Sequence, residues 1–187
     1  RALAQERGLA VHMDGARLAN AVVASGIPAS AFGATADSVS VCFSKGLGAP
    51  VGSAICGDAA FLERARRVRK RLGGWMRQAG VIAAAALHAL EHHVDRLRED
   101  HALARAVAEV LHAVDGIECP PDEVETNIVM ARVRRPGLDA PGLSAMLRER
   151  GVLALPQTQH CLRLVTHMDV GPEDVARLAA ALGALRG

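Results

Sequence analysis

"SVSVCFSKGLGAPVGS", residues 38–53, alternates small and apolar side chains as far as Phe43, then passes through Lys45 into a loop of glycines and other small residues. The alternation predicts a strand over Ser38 to Ser44, with Val39, Val41 and Phe43 on one face. An ammonium group at the end of such a strand needs a reason, and the composition sharpens the question. Of the 22 basic side chains 20 are arginine, and Lys45 and Lys70 are the two lysines. A lysine amine can shed its proton and attack a carbonyl, whereas a guanidinium stays charged and is a poor nucleophile. Lys45 is therefore either a Schiff-base amine or a side chain that snorkels from a strand end to water. Position and rarity alone leave both open.

Outward from that stretch, Leu9 to Asp14 reads as a short strand, Ala16 to Ala24 as a helix and Gly52 to Cys56 as a third strand. Strands separated by helical connections of this length suggest parallel βα units with buried faces. A basic helix follows from Asp58 to about Leu72, then helices over Gln78 to Asp95 and Arg98 to Val114. Turn residues cluster at Asp115-Gly116 and Pro120-Pro121, and the pattern changes there. Thr126 to Val133, Val152 to Leu155 and Cys161 to Thr166 read as strands, and Pro141 to Arg150 and Pro172 to Leu185 as helices. The expected fold is α/β: a mostly parallel sheet over residues 1–95, followed by a small α+β domain over residues 96–187. At the start, "RALAQERG" reads as the last turns of a helix closed by Gly8 in the C′ position. With no initiator Met or signal-type segment before it, the chain is expected to begin in mid-fold.

Composition excludes several classes. The longest apolar run, Val81 to Leu90, is too short to span a bilayer and is interrupted by His88, so it is expected to be a buried helix of small side chains, with no membrane implied. Cys42, Cys56, Cys119 and Cys161 are widely spaced, which argues against zinc-ribbon and thioredoxin-like motifs and fits reduced thiols in a cytosol. A formal net charge of +2 is no nucleic-acid signature. The basic cluster of Arg64, Arg66, Arg67, Arg69, Lys70 and Arg71 lacks the aromatic platforms that single strands stack on, and reads as a solvated or interface-facing helix. His-x-Asp occurs at His12 to Asp14 and His167 to Asp169, with His160 nearby. Neither pair has a carboxylate-rich neighbourhood, so no metal is expected, and His167 is carried only as an acid–base candidate.

Asp14 belongs with Lys45. Ligands of open α/β sheets collect beyond the carboxyl ends of strands, and "HMDGARLANA", residues 12–21, puts Asp14 at such an end with Gly15 making room and Arg17 close behind. Alone, Asp14 reads as a helix N-cap. Beside a strand-end lysine it supplies the partner for a pyridinium nitrogen that pyridoxal phosphate enzymes require. In "CLRLVTH", alternation sets Arg163 apart from Leu162 and Leu164, a placement that suits bidentate grip of a carboxylate and equally an edge-strand arginine extended into solvent.

"HMDGARLANA", "DSVSVCFSKGLGAPVGSAICGD", "RKRLGGWMRQAG" and "LRLVTHMD" together resemble the threonine aldolases, a pyridoxal phosphate family with the aspartate aminotransferase type of fold. The blocks stand in family order and cover nearly the whole chain. The resemblance implies that Lys45 is the Schiff-base lysine, that Asp14 pairs with the pyridine nitrogen, and that Arg17 contacts the phenolic oxygen or the substrate. It implies that Arg163 grips the substrate carboxylate and that Lys70 and Arg77 lie close to an active site, that of a partner subunit. Trp75 departs from the pattern, standing where the family has a third glycine. The family's first part, with the phosphate-cradling loop and the ring stacked on the cofactor, has no counterpart in these residues. The implied activity is retro-aldol cleavage of L-threonine or L-allo-threonine to glycine and acetaldehyde by a cytoplasmic homo-oligomer, a dimer or tetramer. A β-eliminating lyase or transaminase of the same fold, or a non-catalytic fragment lacking the phosphate-binding half, are the alternatives.

Overall fold

The computed structural model describes residues 1–185 and divides the chain into two compact units, Arg1–Arg96 and Leu97–Gly187. In the first, the short helix α1 (Ala2–Glu6) ends as expected at Gly8, whose φ of 60° is left-handed. The Leu9 N–H bonds to the Ala4 carbonyl at 2.8 Å and the Gly8 N–H to that of Gln5 at 3.1 Å. These are the two bonds of a Schellman closure, and they satisfy carbonyls the helix cannot. The chain then enters β1 (His12–Gly15), crosses over through α2 (Leu18–Ser25) and α3 (Ala29–Gly33), and returns in β2 (Ser38–Cys42) parallel to β1.

β3 (Ser53–Gly57) corrects the expectation of parallel βα units throughout: it pairs with β2 antiparallel, giving the order β1-β2-β3. No helix separates β2 from β3, and a loop of ten residues is too short to carry the chain back to the start of a parallel strand. α4 (Ala59–Arg71) follows, its N-cap Asp58 accepting the Phe61 N–H at 2.7 Å, and then α5 (Gly80–His92). α5 also departs from expectation. Of its residues only Ala86 and Ala89 are buried, while Val81 is 77% and Leu87 55% exposed. Small alanines pack one narrow stripe closely, but nothing among the described residues covers the larger side chains on the other faces.

The second unit is a closed α+β layer. α6 (Leu97–His112) buries Leu97, His101, Ala104, Ala108 and Leu111, the three- and four-residue spacing of one helix face. β4 (Ile117–Glu118), β5 (Ile128–Val133), β6 (Leu155–Thr158) and β7 (Cys161–Val165) form an antiparallel sheet in the order β4-β5-β7-β6, and α7 (Ala140–Glu149) and α8 (Pro172–Ala181) complete the unit. Leu111, Val129, Ala131, Leu143, Leu147 and Leu162 are fully buried in its core. Each such leucine contributes about 1.5–3 kcal/mol relative to exposure.

The strand expected over Val152 to Leu155 begins instead at Leu155, and the residues before it serve as packing. Val152 and Ala154 lean on the core, and the Ser144 hydroxyl holds the Ala154 carbonyl at 2.7 Å. Pro156, which has no N–H to give, is tolerated because β6 lies at the sheet edge and carries a register shift there.

Burial lowers the pKa of His101 from its ordinary 6.5, with Arg105 acting in the same direction and Asp100 opposing. The folded state therefore favours neutral imidazole, and its contribution is complete above the ordinary pKa and lost as pH falls through the lowered one. Urea midpoints of the wild type should fall as pH drops below 6.5, and the His101→Gln variant should show a flatter dependence over the same range.

Candidate active site

Asp14 and Lys45 lie toward the same edge of the sheet because β1 and β2 run parallel. In that register Asp14 lies opposite Ser40 and Gly15 opposite Val41, so β1 reaches its carboxyl end level with β2 just before the Lys45 loop. Asp14 is not the cap of the following helix. The N-cap of α2 is Arg17, and Asp14 Oδ1 instead accepts the Ala16 N–H at 3.0 Å, an Asx-type turn. That bond engages one carboxylate oxygen of an exposed side chain. Arg17 is half-buried and Asp14 and Lys45 are exposed. The lysine is thus not a charge sunk in a core: the buried part of the strand ends before it, and its amine stands in the open.

Gly15 is required for this edge. A Cβ there would come within 2.7 Å of the Ser40 carbonyl oxygen and 3.1 Å of Val39 Cγ1. On the same strand, the exposed His12 has Nδ1 2.8 Å from the buried Ser38 hydroxyl, a hydrogen bond between neighbouring strands.

The loop that carries Lys45 is bonded to itself and to α5. The Gly48 N–H bonds to the Lys45 carbonyl at 2.9 Å, the Ala49 N–H to that of Phe43 at 2.9 Å, and the Phe43 N–H to that of Gly52 at 3.0 Å. Gly48 and Gly52 take φ of 72° and 120°, values other residues rarely adopt. Leu47 and Ala49 are buried, and His93, at the end of α5, lies with Nδ1 2.7 Å from the Leu47 carbonyl oxygen. Sequence reasoning did not single out His93. The only trace was the pair His92-His93 closing an apolar run, and a contact between residues 46 positions apart leaves no local pattern.

Lys70 and Arg77 are exposed in the same unit. Lys70 Nζ lies 5.1 Å and Arg69 Cζ 5.3 Å from the centre of the Trp75 ring, both within cation–π range. Trp75, which sequence comparison flagged as out of pattern, thus holds the two cations at the end of α4, where positive charge also complements the helix dipole. The apolar groove of about 840 Å³ between β3 and α4, lined by Ile55, Phe61, Leu62, Val68 and Leu72 among others, includes none of Asp14, Arg17 and Lys45.

Arg163 stands on β7 in the second unit, half-buried, with Met130 of β5 and Leu155 of β6 beside it across the sheet. Leu162, its neighbour in sequence, is fully buried on the opposite face, as alternation requires. His167 is exposed, with Nδ1 3.4 Å from Asp169 Oδ2. Among the described residues no three of His, Cys, Asp or Glu cluster as a metal site, and no helix is long and apolar enough to cross a membrane.

A family model described as beta-eliminating lyase matches residues 1–135. The low specificity L-threonine aldolase of Escherichia coli strain K12 is 43% identical over 176 residues, covering 94% of this chain and 51% of that protein. The chain therefore spans about half the length of the curated relatives it matches. Among solved structures, the threonine aldolase of Leishmania major superposes with a TM-score of 0.72 at 19% identity, over 100% of this chain and 54% of that one. The ornithine aminotransferase of Toxoplasma gondii, a structure with partial occupancy of PLP at its active site, does so with a TM-score of 0.66 at 19% identity, over 98% of this chain and 45% of that one. The fold is the one these enzymes share, in keeping with the α/β expectation.

Substituting Gly15→Ala should force β1 and β2 apart, at a cost of about 1–3 kcal/mol. A drop of that size in urea stability would confirm the close approach, and an unchanged midpoint would refute it.

Proposed function

The chain belongs to the beta-eliminating lyase family, and on that premise we propose that it carries the lysine-bearing part of a pyridoxal phosphate enzyme that cleaves β-hydroxy amino acids. The observation that carries this is the placement of Asp14 and Lys45 at the same carboxyl edge of two adjacent parallel strands. The donor set fits the cofactor: a primary amine for its aldehyde, and an exposed carboxylate for its ring nitrogen. When bound, pyridoxal phosphate supplies an electron sink for the Cα–Cβ bond of L-threonine or L-allo-threonine, the retro-aldol chemistry that yields glycine and acetaldehyde.

The residues then divide the labour. Lys45 would hold the cofactor through its aldehyde. Asp14, whose Oδ1 accepts the Ala16 N–H, would keep a pyridine nitrogen protonated, since a carboxylate in contact favours the charged form. Arg17 steadies the phenolic oxygen or the substrate. Arg163 grips the substrate carboxylate through two parallel N–H···O bonds, and by fixing that group it selects which bond at Cα is aligned for cleavage. Lys70 and Arg77 serve the active site of a partner subunit, in a cytoplasmic homo-oligomer.

The description of the matching family favours a second reading, β-elimination with the same cofactor, and the products separate the two. Incubated with L-threonine, the full-length enzyme should give glycine and acetaldehyde; a keto acid with ammonia would indicate elimination instead. Lys45→Arg should lower turnover by at least about 1,000-fold while leaving the circular dichroism spectrum intact, because the charge survives and the covalent attachment does not. Full activity in that variant would overturn the assignment.

A further inference from the structure

We propose that His93 is a positioning residue for Lys45, holding the lysine loop through the Leu47 carbonyl. The loop's own bonds close its two ends and the turn from Lys45 to Gly48, and none of them uses the Leu47 carbonyl at its centre. A carbonyl oxygen only accepts, so the 2.7 Å contact requires that His93 Nδ1 carry the proton. The ring is itself anchored. The His93 N–H bonds to the Ala89 carbonyl at 2.9 Å, tying it to the 13-residue helix α5, and His88 meets its ring edge-on with centroids 5.2 Å apart.

The need for an outside anchor comes from the loop's composition. Gly46, Gly48 and Gly52 widen the backbone space open to it, and the buried Leu47 side chain fixes only one point. A hydrogen bond to the adjoining carbonyl restrains the peptide plane as well, two residues from the lysine. Productive attack on an aldehyde demands that the amine stay close to one position, and His93 meets that demand from 46 residues away in sequence. The link to catalysis rests on the proposed role of Lys45; the anchoring itself does not.

Hydrogen exchange and lysine labelling on the full-length protein test both parts. His93→Phe keeps a ring and removes the donor, while His93→Asn keeps a donor at the same bond distance from Cα as Nδ1. We expect His93→Phe to speed exchange at the Gly48 and Ala49 amides about fivefold to tenfold, with the α5 amides unchanged, and His93→Asn to return it to within about twofold of wild type. Trapping of pyridoxal phosphate on Lys45 by borohydride, followed by peptide mapping, should slow in His93→Phe and recover in His93→Asn. Unchanged exchange in His93→Phe, or an equal rise in both variants, would overturn the proposal. Raised exchange in His93→Phe together with a wild-type Lys45 that takes up no pyridoxal phosphate would support the anchor and sink the catalytic reading.

Discussion

Parallel pairing of β1 with β2 is the constraint from which the rest follows. Two strands joined through a helical crossover end at the same edge of the sheet, so a residue closing the first and a residue just past the second are brought together by topology. The approach is close enough that only a glycine fits at position 15. The antiparallel return of β3 then obliges the chain to turn back on the same side, and the turn is where Lys45 stands. Carboxylate and amine share an edge because the backbone leaves no other arrangement, and no direct contact between the two side chains is needed.

Much of this was legible in the sequence where local pattern and tertiary role coincide. Alternation marked β2 and β7, and with them the end at which Lys45 sits and the face that sets Arg163 apart from Leu162. Spacing marked α6, whose buried residues recur at three- and four-residue intervals, with Asp100 and His101 among them. What was not legible depends on partners distant in the chain. The apolar run of α5 suggests burial, since sequence reports what a helix could bury and says nothing of whether a neighbour is there to meet it. Strand direction at β3 was hidden by the same limit, the pattern of a strand being identical in either orientation. His93 and the stacking of Lys70 on Trp75 follow from contacts that no period describes.

The two units also differ in how fully their apolar surface is used. In the second, one cluster runs from α6 through the sheet to α8 with its large residues fully buried. The first leaves β3 exposed along its length, and on α4, its C-cap and α5 exposes Val68, Leu72, Val81, Leu87 and Leu90. Exposed apolar side chains in that number are the kind of surface that other chain segments cover. They lie on the elements adjoining the Lys45 loop, which accords with a proposed site completed by other parts of the full-length assembly.

The pairing of Lys70 with Trp75 has a bearing on side reactions. Aldehydes condense with any accessible primary amine, so the number and placement of lysines decide where a protein can be modified by them. Here the side-chain amines number two, one held against an indole and the other on the loop at the sheet edge. Guanidinium groups carry the remaining positive charge and form no imines under such conditions. Within this chain, positive charge is thereby carried almost entirely by groups that do not condense with carbonyls, and amine reactivity is confined to two positions.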